Sequence, residues 1–180
     1  MNTCRSFGPL VLLAFASAAA LPVQAAGWAP DGAFADVGFA PSRSHSITAG
    51  AQWTWGWQGR FGNAQATGLT EVFLSQWRAN GEAVTQAGLV PLVRLRLDQG
   101  RSPWFIEGGI GVSVMDSLYR NHGKQFSTRF NFVDVFGVGR SLGEDRRKEV
   151  SLRLAHISNA DIKRPNPGEN FLQLRYTARF

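Results

Sequence analysis

The chain contains one cysteine in 180 residues, and that residue, Cys4, lies near the N-terminus. A single cysteine excludes an intramolecular disulfide framework and a zinc site built from several thiolates. Charged residues make up 18% of the chain and hydrophobic residues 44%. This composition excludes an intrinsically disordered protein, because disordered chains combine low hydrophobicity with high net charge. By its length, the chain forms at most one domain.

Long apolar runs are also missing beyond the N-terminus, which excludes a membrane protein built from helices, since each spanning helix needs about 18 to 20 apolar residues. The net charge is +6. A basic chain is compatible with a nucleic-acid partner, but no other feature of the sequence supports one. We therefore predict no nucleic-acid binding.

Residues 1–25 have the order of parts found in a cleaved export signal. Arg5 supplies the positive start, residues 9–21 form a short apolar core, and Val23-Gln24-Ala25 fits the small-residue cleavage rule. A buried helix is the weaker alternative. We predict that cleavage leaves residues 26–180 as a single domain without cysteine. Without Arg5, 18 basic residues remain against 13 acidic ones, a balance of +5.

The rest of the chain alternates between apolar and polar residues, which is the pattern of β-strands. The last segment is the clearest example and ends on an aromatic residue. One of its faces carries Leu172, Leu174, Tyr176, Ala178 and Phe180. After an export signal, this segment resembles the C-terminal strand of bacterial outer-membrane barrels.

Seven further segments have the same pattern. They lie at about residues 33–40, 47–55, 69–78, 89–97, 104–114, 126–140 and 148–159. An even number of strands about ten residues long predicts an all-β, eight-stranded antiparallel transmembrane β-barrel, because a closed sheet satisfies every backbone group in lipid. A soluble β-sandwich, whose strands alternate in the same way, is the alternative.

Several charged residues fall on the opposite face from the apolar ones and would point into this barrel. They are Arg94, Arg96, Glu107, Arg153, Arg175 and Arg179. Side chains fill so narrow a barrel, so we expect these charges to pair with one another rather than to line a pore.

Counting strands from a periplasmic N-terminus places the end of the seventh strand at the cell surface. The connections 160–168 and 116–125 are then external, and 142–147 is periplasmic. The parity of Leu152 and Leu154 continues to His156 and Ser158, so both should face lipid near the external rim. A serine hydroxyl needs a neighbouring base to become a nucleophile. A histidine and a serine two residues apart are a weak motif by themselves, and interfacial polar residues are the alternative reading.

The surrounding residues make the motif more specific. His156-Ile157-Ser158-Asn159-Ala160, then Pro165-Asn166-Pro167-Gly168 and the final strand, resemble the lipid A 3-O-deacylase (PagL) family. The likeness is strongest over residues 150–180, and residues 130–134 also resemble the family.

This resemblance implies a barrel in the outer membrane of a Gram-negative bacterium that hydrolyses the 3-position ester of lipid A and releases a 3-hydroxy fatty acid. It implies His156 as general base and Ser158 as nucleophile, without a cofactor. Asn159 and Asn166 are the implied oxyanion donors. The substrate partner would be lipopolysaccharide in the outer leaflet, and a homodimer is left open.

The residue that orients His156 stays open between two neighbours. We favour Glu169, because a carboxylate also stabilises the imidazolium. Asn170 stands where the family has its glutamate and shares the outward face with Leu172, so it is the alternative. Asp161 is a weaker third choice.

Lys163 and Arg164 lie in the same predicted external loop and could bind the lipid A phosphates, although a solvated pair of charges is an equal alternative. His45 and His122 lack ligand-like partners, so we expect no metal site. Two other functions compete with the esterase: a non-enzymatic barrel with a structural or adhesion role, and a palmitoyl transferase, which would need an internal hydrocarbon pocket.

Overall fold

The computed structural model describes residues 29–180, and within them eight long strands form one closed antiparallel barrel. The predicted export signal lies outside the described residues. Strand neighbours in sequence pair with each other, and the last strand pairs with the first to close the sheet. The eight strands are β1 (Gly32–Phe39), β2 (His45–Phe61), β3 (Ala64–Ala79), β4 (Glu82–Arg96), β5 (Trp104–Met115), β8 (Phe130–Leu142), β9 (Lys148–Ser158) and β10 (Glu169–Arg179). The two-residue strands β6 (Arg120–Asn121) and β7 (Lys124–Gln125) form a small separate hairpin, and a 3-10 turn covers Asp98–Gly100.

The eight-stranded prediction is confirmed, but β2, β3 and β4 are longer than the apolar alternation indicated. Backbone pairing between β2 and β3 continues past a register shift at Thr54 and Gln58 as far as Phe61 and Ala64. The hydrogen bonds of a ladder do not depend on side-chain polarity. A prediction based on apolar alternation therefore ended these strands too early.

The predicted sixth strand began too early, because Phe126 does not belong to it. The strand starts at Phe130. Phe126 is 1% exposed and packs edge-on against Tyr119 and Trp77, with ring centroids 5.0 and 6.4 Å apart. The connection from β5 to β8 therefore spans residues 116–129, folds back over the barrel end and contains the β6–β7 hairpin.

Among the described residues, no helix has the length and apolar character needed to cross a bilayer.

The outer wall of the barrel is apolar, and the alternate residues of each strand point inward. The exposed large apolar side chains include Val72, Leu74, Ile106, Ile110, Phe136, Leu152, Leu154, Leu172 and Leu174. A closed sheet with an apolar exterior suits a lipid surround, because all its backbone groups are paired. An exterior of this kind does not suit the soluble sandwich considered from the sequence.

Buried ion pairs fill the middle of the barrel, as predicted. Arg153 pairs with Glu71 and Glu107, each at 2.9 Å. Arg94 pairs with Glu107 at 2.7 Å and Glu149 at 2.8 Å. The remaining pairs join Arg175 to Asp36 and Glu71, and Arg96 and Arg179 to Glu149.

A small cavity inside the barrel is lined by residues including Thr48, Glu71, Ser75 and Trp77, and its volume is about 30 Å³. A cavity of this size holds no more than a few water molecules and has no room for a fatty acyl chain. A palmitoyl transferase with an internal hydrocarbon pocket is therefore not supported.

The strand connections divide between two ends of the barrel. The end near Ser158 carries the connections 40–44, 80–81, 116–129 and 159–168, and the opposite end carries 62–63, 97–103 and 143–147. The predicted external connections thus lie together at one end, with the boundary of the longer one moved from 125 to 129. The predicted periplasmic connection lies at the other end.

Candidate active site on the outer wall of the barrel

Strand β9 presents His156 and Ser158 at its end, on the outer face. Leu152 and Leu154 on the same face are 47% and 56% exposed, whereas Ala155 and Ile157 between them are buried. His156 and Ser158 are half-buried. Side chains two apart on a strand are separated by about 6.6 Å along the backbone. Both residues therefore lie where the parity of the sequence placed them.

Asn170 is the side chain that holds His156. The two residues are register partners across β9 and β10, and His156 Nδ1 lies 2.7 Å from Asn170 Oδ1. An amide oxygen can only accept a hydrogen bond, so Nδ1 carries the proton in this contact. In the neutral imidazole the other ring nitrogen, Nε2, is then unprotonated and can accept a proton.

Glu169, the favoured orienting residue, is not in contact with His156. Its side chain points into the barrel, is completely buried, and accepts hydrogen bonds from Tyr119 OH at 2.6 Å and Ser42 Oγ at 2.7 Å. Lys124 Nζ forms an ion pair with it at 3.0 Å. The prediction fails because β10 is already regular at its first residue, so strict alternation sends Glu169 inward and Asn170 outward. Asp161 is exposed and pairs with Arg164 instead.

The predicted oxyanion donors differ in their availability. Asn159 is 1% exposed, and its side-chain amide donates to Ser127 Oγ, Thr128 Oγ1 and the Lys163 carbonyl oxygen at 2.8 to 3.0 Å. Its amide group therefore holds two connections together, which does not fit the oxyanion role. Asn166 accepts a hydrogen bond from the Asn159 backbone N–H through Oδ1 at 3.0 Å, which leaves its own NH₂ group as a donor.

Gly168 closes over the histidine at the end of the connection. Its φ is +60°, and a Cβ atom built on it would lie 2.8 Å from His156 Cε1. Only a glycine permits so close an approach without displacing the ring or straining the backbone. The position of the glycine in the Pro-Asn-Pro-Gly segment is thus explained by its packing against the histidine.

The predicted phosphate ligands are both exposed. Arg164 pairs with Asp161 at 3.5 Å. The Lys163 backbone oxygen is bound by Ser127 and Asn159, so the connection that carries both cations is anchored to the neighbouring one.

Sequence reasoning missed Asp134 and the buried network around Glu169. Asp134 is the register partner of His156 on β8 and lines the same shallow depression of the outer wall as His156 and Asn170. The sequence already set Asp134 apart, because it is a charged residue between Phe132 and Phe136 on an otherwise apolar strand face. The Glu169 network left no such signal, since it joins residues more than 40 positions apart.

The phenol of Tyr119 is part of that network. Burial raises the pKa of Tyr119, and its hydrogen bond to the Glu169 carboxylate raises it further. The phenol therefore stays protonated at neutral pH and donates to the carboxylate. This contact ties the 116–129 connection to the first residue of β10, directly beside Asn170.

The chain is similar in sequence and in fold to known proteins. A family model described as lipid A 3-O-deacylase (PagL) matches residues 47–179. The lipid A deacylase PagL of Bordetella bronchiseptica is 35% identical over 132 residues, which cover 71% of this chain and 70% of that protein. The lipid A deacylase PagL of Pseudomonas aeruginosa is 28% identical over 147 residues, which cover 79% and 82%. A crystal structure of the outer membrane enzyme PagL superposes with a TM-score of 0.73 at 24% identity and covers 83% of this chain and 99% of that one.

The barrel is closed, has an apolar exterior and carries a histidine and a serine on its outer wall. These features define the class of protein: a small integral membrane barrel that acts as an enzyme. The match over most of the chain identifies it further: the chain belongs to the lipid A 3-O-deacylase (PagL) family.

Proposed function

We propose that the protein is a serine esterase that removes the acyl chain at the 3-position of lipid A. The observation that carries this proposal is the pair of His156 and Ser158 on the outer wall, with Asn170 Oδ1 2.7 Å from the imidazole Nδ1. A nucleophile on the wall of a barrel meets lipids rather than soluble molecules. Family membership supports lipid A as that lipid.

In the proposed reaction, Ser158 Oγ attacks the acyl carbonyl carbon while its proton moves to His156 Nε2. Collapse of the tetrahedral intermediate breaks the ester bond, and the imidazolium returns the proton to the departing sugar oxygen. Water then attacks the acyl-enzyme with the same base, and a 3-hydroxy fatty acid leaves. No hydrogen bond joins His156 to Ser158 among the described residues, and contacts of this kind commonly tighten when substrate binds.

Asn170 takes the place that an acidic residue holds in a Ser-His-acid triad. Its Oδ1 fixes the tautomer and the direction of the ring, as the asparagine does in Cys-His-Asn sites. Asn166 is the side-chain oxyanion donor that we favour, because its NH₂ group donates no hydrogen bond to another residue between 29 and 180. One donor of this kind contributes on the order of 3 kcal/mol to the transition state.

We also propose that residues 1–25 are a cleaved export signal and that the His156 end of the barrel faces the outer leaflet of a Gram-negative outer membrane, where lipopolysaccharide lies. Lys163 and Arg164, exposed on the 159–168 connection, are then at the level of the lipid A phosphates. The homodimer stays a prediction.

The test of this function is Ser158→Ala, with lipid A extracted from expressing cells and analysed by mass spectrometry. We expect the wild-type protein to remove the 3-linked chain and the variant to leave it in place. Ser151→Ala is the matched control, because Ser151 lies on the same strand but is buried on its inner face. Continued loss of the 3-linked chain with Ser158→Ala would reject the proposed nucleophile.

A further inference from the structure

Asp134 is a carboxylate on a wall that is otherwise apolar. The outward residues before and after it on β8 are Phe130, Phe132, Phe136 and Val138. An ionisable side chain on the lipid face of a barrel is unfavourable, and within a membrane such a residue usually marks a function.

Asp134 and His156 are neighbours across the sheet. The register pairs Asp134 with His156, and His156 in turn with Asn170, so the three residues form one row across β8, β9 and β10. Directly opposed residues in an antiparallel pair have Cβ atoms about 4.5 to 5.5 Å apart. All three line the same depression, together with Ile110, Phe136 and Leu154.

Within residues 29–180, the Asp134 carboxylate has no hydrogen-bond or ion-pair partner. The carboxylates inside the barrel differ in this respect, because Asp36, Glu71, Glu107 and Glu149 are all paired with arginines. No hydrogen bond or ion pair within this part of the chain therefore explains the position of Asp134. Its neighbour His156 is the group that becomes positively charged when it acts as a base.

We propose that Asp134 supplies the negative charge that a carboxylate supplies in a Ser-His-acid triad and that the neutral Asn170 does not. This inference rests on the proposed esterase function. As the Ser158 proton moves to Nε2, Asn170 keeps the ring oriented through its hydrogen bond with Nδ1–H. Asp134, on the neighbouring strand, stabilises the resulting imidazolium. Apolar surroundings strengthen an interaction between opposite charges. Asp134 is thus a positioning residue that acts through His156.

The other charges near His156 come from three elements. Strand β10 contributes Glu169, which faces the interior, and the 116–129 connection contributes Lys124, which pairs with it and donates to the Gly168 carbonyl oxygen. The 159–168 connection contributes Asp161, Lys163 and Arg164, all exposed, and Asp161 pairs with Arg164. The row continues on β5 with the apolar Ile110.

The first test measures kcat, KM and the pH–rate profile of Asp134→Asn in detergent micelles with purified lipid A. We expect kcat to fall about ten- to hundredfold with little change in KM, because the lost charge acts mainly when the imidazolium forms. We also expect the acid limb of the profile to move to lower pH, since a histidine without a neighbouring anion is protonated less readily. A purely structural role would lower activity without moving this limb, and an unmoved limb overturns the proposal. Asp134→Glu should restore most of the activity.

The second test moves the carboxylate to the other side of the ring. Asn170→Glu should restore kcat in the Asp134→Asn background to within a few-fold of wild type, because the imidazolium again has an acidic neighbour. If Asn170→Glu is active in the wild-type background but does not rescue Asp134→Asn, the charge role is rejected. Glu144→Gln, an exposed carboxylate at the opposite end of the barrel, is the control and should leave both kcat and the acid limb unchanged.

The two proposals fail separately. If wild-type protein removes the 3-linked chain and Ser158→Ala does not, the esterase function stands whatever Asp134→Asn does. If Ser158→Ala remains active, the serine mechanism falls, and a shift of the acid limb in Asp134→Asn then belongs to another reaction.

Discussion

His156 depends on its immediate neighbours for direction. Asn170 Oδ1 accepts a hydrogen bond from His156 Nδ1, 2.7 Å away. Gly168 has no side chain and so leaves the space in which the ring lies. Neither neighbour is acidic. An amide can set the tautomer of an imidazole but cannot neutralise the charge of an imidazolium. In this site, therefore, the residue that orients the His156 ring does not also stabilise its positive charge.

Removal of the Asn170 side chain should therefore mainly affect turnover. We expect Asn170→Ala to lower kcat by about a hundredfold, because the ring loses its preferred tautomer and orientation. Steady-state kinetics on lipid A in micelles measures this change. Asn170 is exposed on the outer face, so the barrel should remain folded, as shown by its heat-dependent mobility in gels. Unchanged kcat would exclude an orienting role.

A methyl group at position 168 should displace the imidazole. In Gly168→Ala the new Cβ would lie 2.8 Å from His156 Cε1, and the positive φ adds about 1 kcal/mol of strain. We expect a clear loss of kcat from a folded protein. Gly81→Ala is a matched control, since Gly81 also has a positive φ, at +83°, but open space around its Cβ position. Equal losses in the two variants would mean that strain, rather than the clash, is responsible.

Among the elements, the 116–129 connection is attached to the barrel by the Glu169 network. Tyr119, Asn121 and Lys124 reach from it to Ser42, Ser44 and Glu169. The network is buried under the site end, and Glu169 Oε1 also accepts a hydrogen bond from the Asn170 backbone N–H at 3.2 Å. The element that covers the barrel thus also supports the residue that holds His156.

The raised pKa of Tyr119 makes this attachment sensitive to alkaline pH. Because folding raises the pKa, the unfolded chain loses the phenol proton first as pH rises. The stabilisation is therefore complete below about pH 10, the ordinary phenol range, and is lost above it. Urea unfolding in lipid vesicles at several pH values should show stability falling above this range. Tyr119→Phe should be less stable at neutral pH by about 2 kcal/mol and should show a weaker alkaline decline, and an equal decline in both proteins would contradict this.

At the scale of the whole molecule, charges rather than apolar side chains fill the middle of the barrel. The guanidinium of Arg153 lies between Glu71 and Glu107 and is fully buried. Removing one member of a buried network leaves its partners uncompensated, which costs more than the network contributes in net stability.

Arg153→Met should therefore destabilise the barrel by about 3 to 5 kcal/mol. Urea titration in lipid vesicles, followed by tryptophan fluorescence, measures the change. Arg101→Met is the control, because Arg101 pairs with Asp98 on the surface with both side chains more than half exposed, and such pairs contribute little. If Arg153→Met lowered the free energy of unfolding as little as Arg101→Met does, water molecules inside the barrel would have to solvate the unpaired carboxylates.

The sequence alone determined the strand number, the inward and outward faces, and the positions of His156 and Ser158. These features follow from the two-residue period of a strand, which is a local property. The ends of β2 to β4 and of β8 were not determined in this way, because backbone pairing extends beyond the apolar band and Phe126 is drawn into the interior by Trp77 and Tyr119.

Only the tertiary structure showed that Asn170 rather than Glu169 contacts His156, and that Asp134 lies beside His156. The choice between the two neighbours depended on whether β10 is regular at its first residue, and a closed sheet makes it so by pairing that residue with Ile157. Asp134 is 22 positions away from His156 in sequence, and the two residues are neighbours only because of the register between β8 and β9. Register is set by contacts over the whole barrel, which no single segment of the chain contains.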